Sequence, residues 1–387
     1  MGIQPVIDYS QYTDSAPLLD ELHYWDLPDK YCVLVENLPR KLRFRGTTQS
    51  ISIGRLKRNF GKDCSIDHCI KALVTWRNKK HSFNITFPFS FINEEYVQLY
   101  SLMLSEGSHK GEFKLHVPEE EFHELFAQCL TRLFGPIQIR TTIYRNVKVS
   151  IAPKKVSFLV PIPKQIPAFI INNKEFARLY LRIAFEAEAN FRYKLLKTGC
   201  IQRKIKISRN YGIDGLVDTV LPYREAERIY IGRLKKEFPE LVAKIIKNPC
   251  PTIVGEKILL KKHFDIETSL YPEYIRINKT TIRRGKISVK WTMNIHGENI
   301  DKFVKEIGCI TEKKRVVLCR MHLVGKRRSN YTALKIMKTI ARGNIFDLND
   351  YALEMFKQGY KYPDVFLSKY KMRNLIERVS SRTYRIL

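Results

Sequence analysis

The amino-acid sequence predicts an α+β fold of two pseudo-symmetric repeats, and three observations carry that prediction. A helix, two strands, a helix and further strands occupy residues 91–165, and the same order restarts in residues 166–325. Each copy opens on an apolar helix that closes in a carboxylate and a small residue, Glu106-Gly107 and then Glu188-Ala189, 82 residues apart. The strands alternate apolar and polar side chains, as antiparallel sheets do when one face is buried and the other solvated.

Residues 1–35 are acidic and turn-rich, ending in the strand-like Tyr31–Val35. Residues 36–90 turn basic and read as a helical extension. Ile51–Phe60 predicts one helix, Gly61-Lys62-Asp63 breaks it, and Ser65 N-caps a second running through Ile70, Leu73 and Val74. With Arg77, Lys79 and Lys80 at its end, the pair fits a helix-turn-helix and, equally, two short helices of a bundle.

In residues 91–165, Asn93 N-caps a helix whose first turn holds Glu94 and Glu95, where carboxylates suit the helix dipole; it runs from Tyr96 to Glu106. Strand-like Gly111–Val117 follows. Pro118 then opens a helix with Phe122, Leu125, Phe126, Cys129 and Leu133 on one face. Ile137–Tyr144, Val147–Ile151 and Lys155–Val160 read as strands, and Pro161, Pro163 and Pro167 make a stiff connector.

In residues 166–325, Asn173 caps a helix over Lys174–Glu188, and strands Asn190–Leu196 and Ile201–Ser208 come next. A long amphipathic helix is expected from Arg224 to about Lys247. Strands Lys257–Lys262, Tyr274–Asn278 and Lys286–Ile295 and a short helix over Asn299–Ile307 complete the copy. Residues 326–387 read as a basic, mostly helical extension.

The 387 residues carry 68 Lys+Arg against 39 Asp+Glu, a formal net charge of +29, while 44% hydrophobic and 28% charged residues are ordinary for a folded chain. Wholesale disorder is excluded. Such an excess repels itself, and a polyanion offsets that repulsion; nucleic acid is the commonest, with an anionic membrane surface as the rival. No stretch approaches 18 uninterrupted apolar residues, so no membrane span is expected. The acidic N-terminal stretch has the wrong balance for a cleaved targeting segment, and a cytoplasmic protein is expected. Eight cysteines without a CxxC pair fit neither a structural zinc site nor a disulfide framework. Cys64, His68 and Cys69 lack a second half-site and read as thiols on a short helix.

Leu99-Tyr-Ser-Leu-Met-Leu-Ser-Glu-Gly107 and Leu181-Arg-Ile-Ala-Phe-Glu-Ala-Glu-Ala189 both resemble the nine-residue motif that names the LAGLIDADG homing endonucleases. The stretch Met293–Gly308, followed by Lys313-Lys314, resembles the end of a repeat in that family. The resemblance covers residues 90 to about 325 and implies an αββαββα-like repeat with saddle-shaped antiparallel sheets. It also implies that Glu106 and Glu188 are catalytic and bind a divalent cation, Mg²⁺ or another such as Mn²⁺ or Ca²⁺. Lys313 and Lys314 are implied as the basic group beside it. The chemistry is coherent: small residues (Ser101, Ser105, Gly107; Ala184, Ala187, Ala189) let two helices approach, and a hard cation relieves the repulsion of two carboxylates. Metal ions bridging scissile phosphates activate water and stabilise the leaving oxygen. Ala189 in place of Gly and the bulky Ile183 depart from the motif.

The polar phases of the strands form the expected DNA-binding set: Lys114, His116, Gln138, Arg140, Arg192, Lys194, Gln202, Lys204, Lys206, Arg276, Asn278, Ser288, Lys290, Thr292 and Asn294. These types read major-groove base edges or grip phosphates, and acids are nearly absent among them. The expectation is a monomeric, site-specific double-stranded DNA homing endonuclease, free-standing and intron-encoded. The alternatives are an RNA maturase acting on structured intron RNA and a cleavage-inactive DNA-binding protein.

Overall fold

The computed structural model describes residues 12, 16–17, 19–38, 48–75, 78–108, 112–195, 201–214, 228–277, 286–325, 330–357, 363–372 and 374–387. The chain divides into two units. The first comprises Met1–Ala189, Ile207–Asp265 and Ser269–Met293, and the second Asn190–Lys206, Ile266–Thr268 and Asn294–Leu387. Among the described residues no helix is long and apolar enough to cross a membrane.

The first unit begins with β1 (Cys32–Glu36), β2 (Thr48–Ser52), α1 (Ile53–Phe60), β3 (Ile70–Thr75) and β4 (Asn78–Asn84), whose strands form a sheet in the order β2-β1-β3-β4. Helix α1 lies where its pattern predicts, with Ser52 accepting the Arg55 N–H. The second helix of a helix-turn-helix is not there. Cys64–Cys69 is a 3₁₀ turn capped by Asp63 rather than Ser65, and Ile70–Thr75 pairs with β1, Leu34 opposite Ala72. A six-residue run with Ile, Val and Thr satisfies either period, and the free partner strand decides it.

The two helices that end in Glu106 and Glu188 start on the asparagines read as caps. Asn93 accepts the Tyr96 N–H at 2.7 Å to open α2 (Glu94–Glu106). After α2 come a two-residue strand (Gly107–Ser108), β5 (Phe113–His116), α3 (Glu120–Phe134), β6 (Arg140–Tyr144) and β7 (Val147–Ala152). Residues Val156–Leu159, expected in a strand, form a helical turn started by the Val156 N–H bonding to the Pro153 carbonyl.

The second copy opens with α4 (Lys174–Glu188), where Asn173 accepts the N–H groups of Glu175 and Phe176 at 2.9 and 3.1 Å. It continues through β8 (Asn190–Leu195), β9 (Ile201–Asp214), β10 (Arg228–Tyr230), α5 (Ile231–Glu237), α6 (Pro239–Lys247), α7 (Pro251–Phe264), β11 (Thr268–Arg276), β12 (Lys286–His296) and α8 (Glu298–Glu306). Two expectations fail here. The long helix over 224–247 is interrupted because Pro239 excludes Phe238 from the helical region. Lys257–Lys262 is helical, inside α7, which opens on Pro251 and buries residues around most of its circumference.

The duplication is legible in strand order. The first sheet runs Gly107–Ser108, β5, β7, β6, and the second runs β8-β9-β12-β11 with β10 added at its edge. In both, the strands taken in chain order as first to fourth lie side by side as first, second, fourth, third. The fold is thus mixed α+β, with antiparallel pairing wherever the register is defined.

Helices α2 and α4 pack against each other within the first unit. Ser101, fully buried, donates to the Tyr180 carbonyl at 2.8 Å, and the rings of Tyr100 and Tyr180 stack at 5.8 Å. A serine at that position lets the helices close on a backbone oxygen, as the small-residue pattern predicts. The second unit ends in α9 (Glu312–Gly325), α10 (Asn330–Ile340), β13 (Ile345–Asp347), α11 (Leu348–Lys357), α12 (Pro363–Met372), β14 (Ile376–Arg378) and β15 (Thr383–Ile386). The C-terminal residues, expected to be mostly helical, therefore also hold a three-stranded sheet.

Candidate active site and nucleic-acid interface

The last turns of α2 and α4 meet at one side chain that the motif does not contain. Arg209, on β9, is only 7% exposed. Its Nη1 donates to Glu188 Oε1 at 3.0 Å, and its Nη2 reaches Ser105 Oγ at 3.3 Å. The same guanidinium donates to Glu256 Oε1, from Nε at 3.2 Å and Nη2 at 2.6 Å. Glu256, on α7, is fully buried, and Tyr180 Oη donates to it at 3.2 Å. Burial alone would lower the Arg209 pKa, but the carboxylates of Glu256 and Glu188 raise it above the ordinary arginine value, so this cation is permanent. Burial raises the Tyr100 and Tyr180 phenols well above their usual value as well, so they act as neutral donors.

Glu106 and Glu188 both end their helices half-buried. The residues after them explain the small-residue requirement. A Cβ on Gly107 would lie 2.5 Å from Met103 Cα and 2.6 Å from its carbonyl oxygen. Ala189 ends its helix on the same kind of backbone: both residues are extended, the Gly107 N–H bonding to the Met103 carbonyl and the Ala189 N–H to the Phe185 carbonyl at 2.8 Å. The substitution of Ala for Gly in the second motif is accommodated without left-handed backbone.

Two carboxylates suit Mg²⁺, which takes few protein oxygens and completes its shell from water and phosphate. A carboxylate held by an outer hydrogen-bond donor is how metal-ligating acids are commonly oriented, and Arg209 does this to Glu188. On the donor chemistry, the pair fits such an ion. Among the described residues, the one group of three metal-capable side chains lies elsewhere: His23, Cys64 and Asp67, with ligand atoms within 4.8 Å of one another. Asp67 is buried, which raises its pKa. Cys64 is three residues from Asp67, but His23 lies 41 residues before Cys64, too far to be found by spacing; the Cys64–His68–Cys69 grouping brings His68 Nε2 and Cys69 Sγ together at 3.3 Å.

The expected DNA-contacting residues divide by strand. On β9 the alternation holds: Gln202 is exposed and Lys204 and Lys206 half-buried, while Ile205 and Ile207 are inside. Lys114 and His116 are half-buried beside the interior Phe113 and Leu115, with Lys114 ion-paired to Glu112. Gln138 and Arg140 are exposed and line a groove of about 440 Å³ with Glu112 and Lys154. Ile143, expected inside, is 75% exposed, because β6 is an edge strand without a covered face. Arg192 is exposed and donates to Asn190 at 2.6 Å, and Arg276 is exposed. The side chain of Lys194 and all of Asn278 lie outside the described residues.

On β12 the expectation holds for Ser288 and Lys290, both half-buried, and fails for Thr292 and Asn294, which are interior. This strand is the middle one of its sheet, and residues Trp291–Ile295 are covered on both faces. Thr292 Oγ1 spends its hydrogen bonds on Glu273 Oε2 at 2.9 Å and Ser208 Oγ at 3.0 Å. Lys290 lies 3.3 Å from Glu273 and 5.1 Å above the Tyr274 ring.

In the second unit Lys313 is exposed, and Lys314 is half-buried with Nζ 5.9 Å above the Phe191 ring. Arg203, another arginine on the buried phase of β9, donates to Asp301 Oδ1 at 2.8 Å and Oδ2 at 3.2 Å, and to the Gly297 and Met321 carbonyls. The signal for Arg203 and Arg209 is in the sequence: both fall in register with Ile205 and Ile207, where an ionised side chain requires a buried partner.

No family model matches the chain, and no curated protein does. Solved structures match weakly. The N-terminal LAGLIDADG domain of DUF199/WhiA is 11% identical over 59% of this chain and 88% of its own, with a TM-score of 0.29. Full-length DUF199/WhiA from Thermatoga maritima is 14% identical over 64% and 67%, TM-score 0.32. The homing endonuclease I-DmoI, in complex with DNA and Ca, is 12% identical over 59% and 97%, TM-score 0.31.

Proposed function

We propose that the chain binds double-stranded DNA and hydrolyses its phosphodiester bonds with a divalent cation held by Glu106 and Glu188. The observation that carries this reading is the convergence of the two motif-helix ends on Arg209, which touches Ser105 of one and Glu188 of the other. Glu106 is the next residue after Ser105, so the ends of the two helices that carry the terminal acids lie at one arginine. A cation bound there would supply Lewis-acid stabilisation of the scissile phosphate and a more acidic water. Arg209 positions Glu188, and the buried Glu256 fixes Arg209 from behind. The net charge of +29 supports a polyanionic substrate.

One observation favours a second reading, a cleavage-inactive DNA-binding protein. The guanidinium already neutralises the carboxylate that would attract a metal ion. Mg²⁺-dependent nicking of a randomised duplex library separates the two. The nuclease reading expects cleavage by the wild type, loss of at least a hundredfold in Glu106→Gln and Glu188→Gln, and unchanged duplex affinity in both. Wild-type protein that binds duplex DNA and never cuts it establishes the second reading, and cleavage that survives both substitutions removes the acids from the assignment.

A further inference from the structure

Residues 51–80 fit either a helix-turn-helix or two bundle helices by sequence, and a strand stands where both need the second helix; the C-terminal 58 residues do carry the elements of a helix-turn-helix. Their order is α10, β13, α11, α12, β14, β15, and the three strands lie β13-β15-β14, so that the last strand sits between the other two. Both pairings are antiparallel, with Phe346 opposite Tyr384 and Glu377 opposite Arg385. Each element contributes to one core, represented by Met337, Phe346, Tyr351, Leu367, Ile376 and Ile386. Helix, strand, two helices and a hairpin whose second strand inserts centrally is the topology of a winged helix-turn-helix. In that topology α12 is the second helix of the pair and the β14–β15 hairpin is the wing.

We propose that this C-terminal module is a second duplex-DNA-binding site, with α12 entering the major groove and the wing tip gripping the adjacent backbone. The partner rests on the DNA reading above, while the topology stands without it. On α12, Leu367 and Tyr370 face the core and Ser368 and Lys371 are exposed, one residue on in each case. The wing is built rather than loose. The Val379 N–H bonds to the Thr383 carbonyl at 2.9 Å, and the Arg378 guanidinium donates to the Ser380 and Ser381 carbonyls at 3.0 and 2.9 Å. Its turn is tied to α11 by the Leu348 N–H, which bonds to the Arg382 carbonyl at 2.8 Å, and the Arg382 side chain is exposed. Residues 330–387 contain 11 Lys/Arg against 5 Asp/Glu. Of the acids, Glu377 is paired with Arg385 at 2.9 Å and Glu354 with Lys357 at 3.5 Å. A basic surface on a preformed helix and hairpin complements phosphates on both sides of a groove.

The test uses the full chain and a 60-base-pair random-sequence duplex pool, followed by fluorescence anisotropy from 50 to 300 mM salt. Lys371→Ala and Arg382→Ala should each weaken binding several-fold and lower the slope of log affinity against log salt by about one, and together by about two. Ser368→Glu, which adds a negative charge to the same exposed face, should weaken binding without removing any contact. Unchanged melting temperatures show that these surface changes leave the fold intact. Duplex binding with an unaltered slope in all variants overturns the module and leaves the acid-site reading standing. A wild type that binds no duplex overturns both. Loss of affinity for a structured single-stranded RNA, with duplex affinity unchanged, overturns the choice of duplex DNA.

Discussion

Arg209 Nη2 lies 2.6 Å from Glu256 Oε1, and neither side chain meets solvent appreciably. Glu256 is fully buried, and among the described residues its ionic partner is Arg209, so the pair behaves as one unit in the interior of the first unit. Removing one partner strands the other charge, which typically costs 3–5 kcal/mol, whereas replacing both by apolar groups of similar volume is far cheaper. Arg209→Met should therefore destabilise the protein by roughly 3–5 kcal/mol, and Arg209→Met/Glu256→Met by clearly less, despite carrying more substitutions. Urea midpoints of the two single variants and the double variant measure this. A double variant as unstable as the sum of the singles would mean that the two residues act independently.

Gly107 and Ala189 occupy equivalent positions and should respond unequally. A methyl group on Gly107 collides with the Met103 backbone, which cannot move aside as a flexible side-chain end can. Gly107→Ala should cost about 1–3 kcal/mol, the range for forcing extra atoms into a packed site. Ala189→Gly loses one buried methyl group and gains chain entropy in the unfolded state, so about 1 kcal/mol is expected. Thermal melts of the two variants give the comparison, and equal losses would mean that the contact with Met103 does not set the cost at Gly107.

What the sequence made legible was local and periodic. Asn93 and Asn173 cap the helices expected of them, Ser101 supplies the close approach, and residues 202–208 alternate as expected. What it concealed depended on pairing across the fold. Ile70–Thr75 became a strand because Cys32–Glu36 offered an edge. Lys257–Lys262 became helical because Pro251 starts a helix six residues earlier. Thr292 and Asn294 were assigned to a solvated face on alternation alone, yet the middle strand of a five-stranded sheet is covered on both sides. Arg209 lies one residue past the strand expected to end at Ser208; the strand continues to Asp214, and register with Ile205 and Ile207 places the arginine inside.

Two aspartates, Asp301 half-buried and Asp67 buried, give stability terms of opposite sign with pH. At Asp301 burial pushes the pKa up, but the hydrogen bonds from Arg203 and His322 outweigh it and the pKa is lowered. A depressed carboxylate contributes stability that is present above its unfolded pKa of about 3.9 and is lost as pH falls through the folded value. Asp301→Asn should cost about 2 kcal/mol near neutral pH, as for hydrogen bonds to charged groups, and the gap from wild type should close below about pH 4. At Asp67 burial dominates and raises the pKa, so its ionised form destabilises the native state. That penalty is absent at low pH and grows as pH rises through the folded value. Asp67→Asn should therefore gain on wild type as pH rises. Denaturant midpoints of both variants between pH 3 and 7 check the two signs, and parallel curves would contradict both.

Salt should govern the affinity for DNA more steeply than any single side chain does. Each Lys or Arg that neutralises a phosphate releases a counterion, and the slope of log affinity on log salt is about −0.9 per contact for duplex DNA. Exposed Arg140, Arg192 and Arg276 and the half-buried Lys204 and Lys206 are five candidates outside the C-terminal module. If they and the module's Lys371 and Arg382 bind together, the slope should be near −6, and affinity should fall by more than about a thousandfold between 50 and 200 mM salt. Replacing Lys204 and Lys206 by alanine should lower the slope by about 2 with little change in sequence preference, since phosphate contacts position the protein without reading bases. Titrations at four salt concentrations measure the slope directly. A slope near zero for the wild type would show that the +29 charge is offset by something other than phosphate.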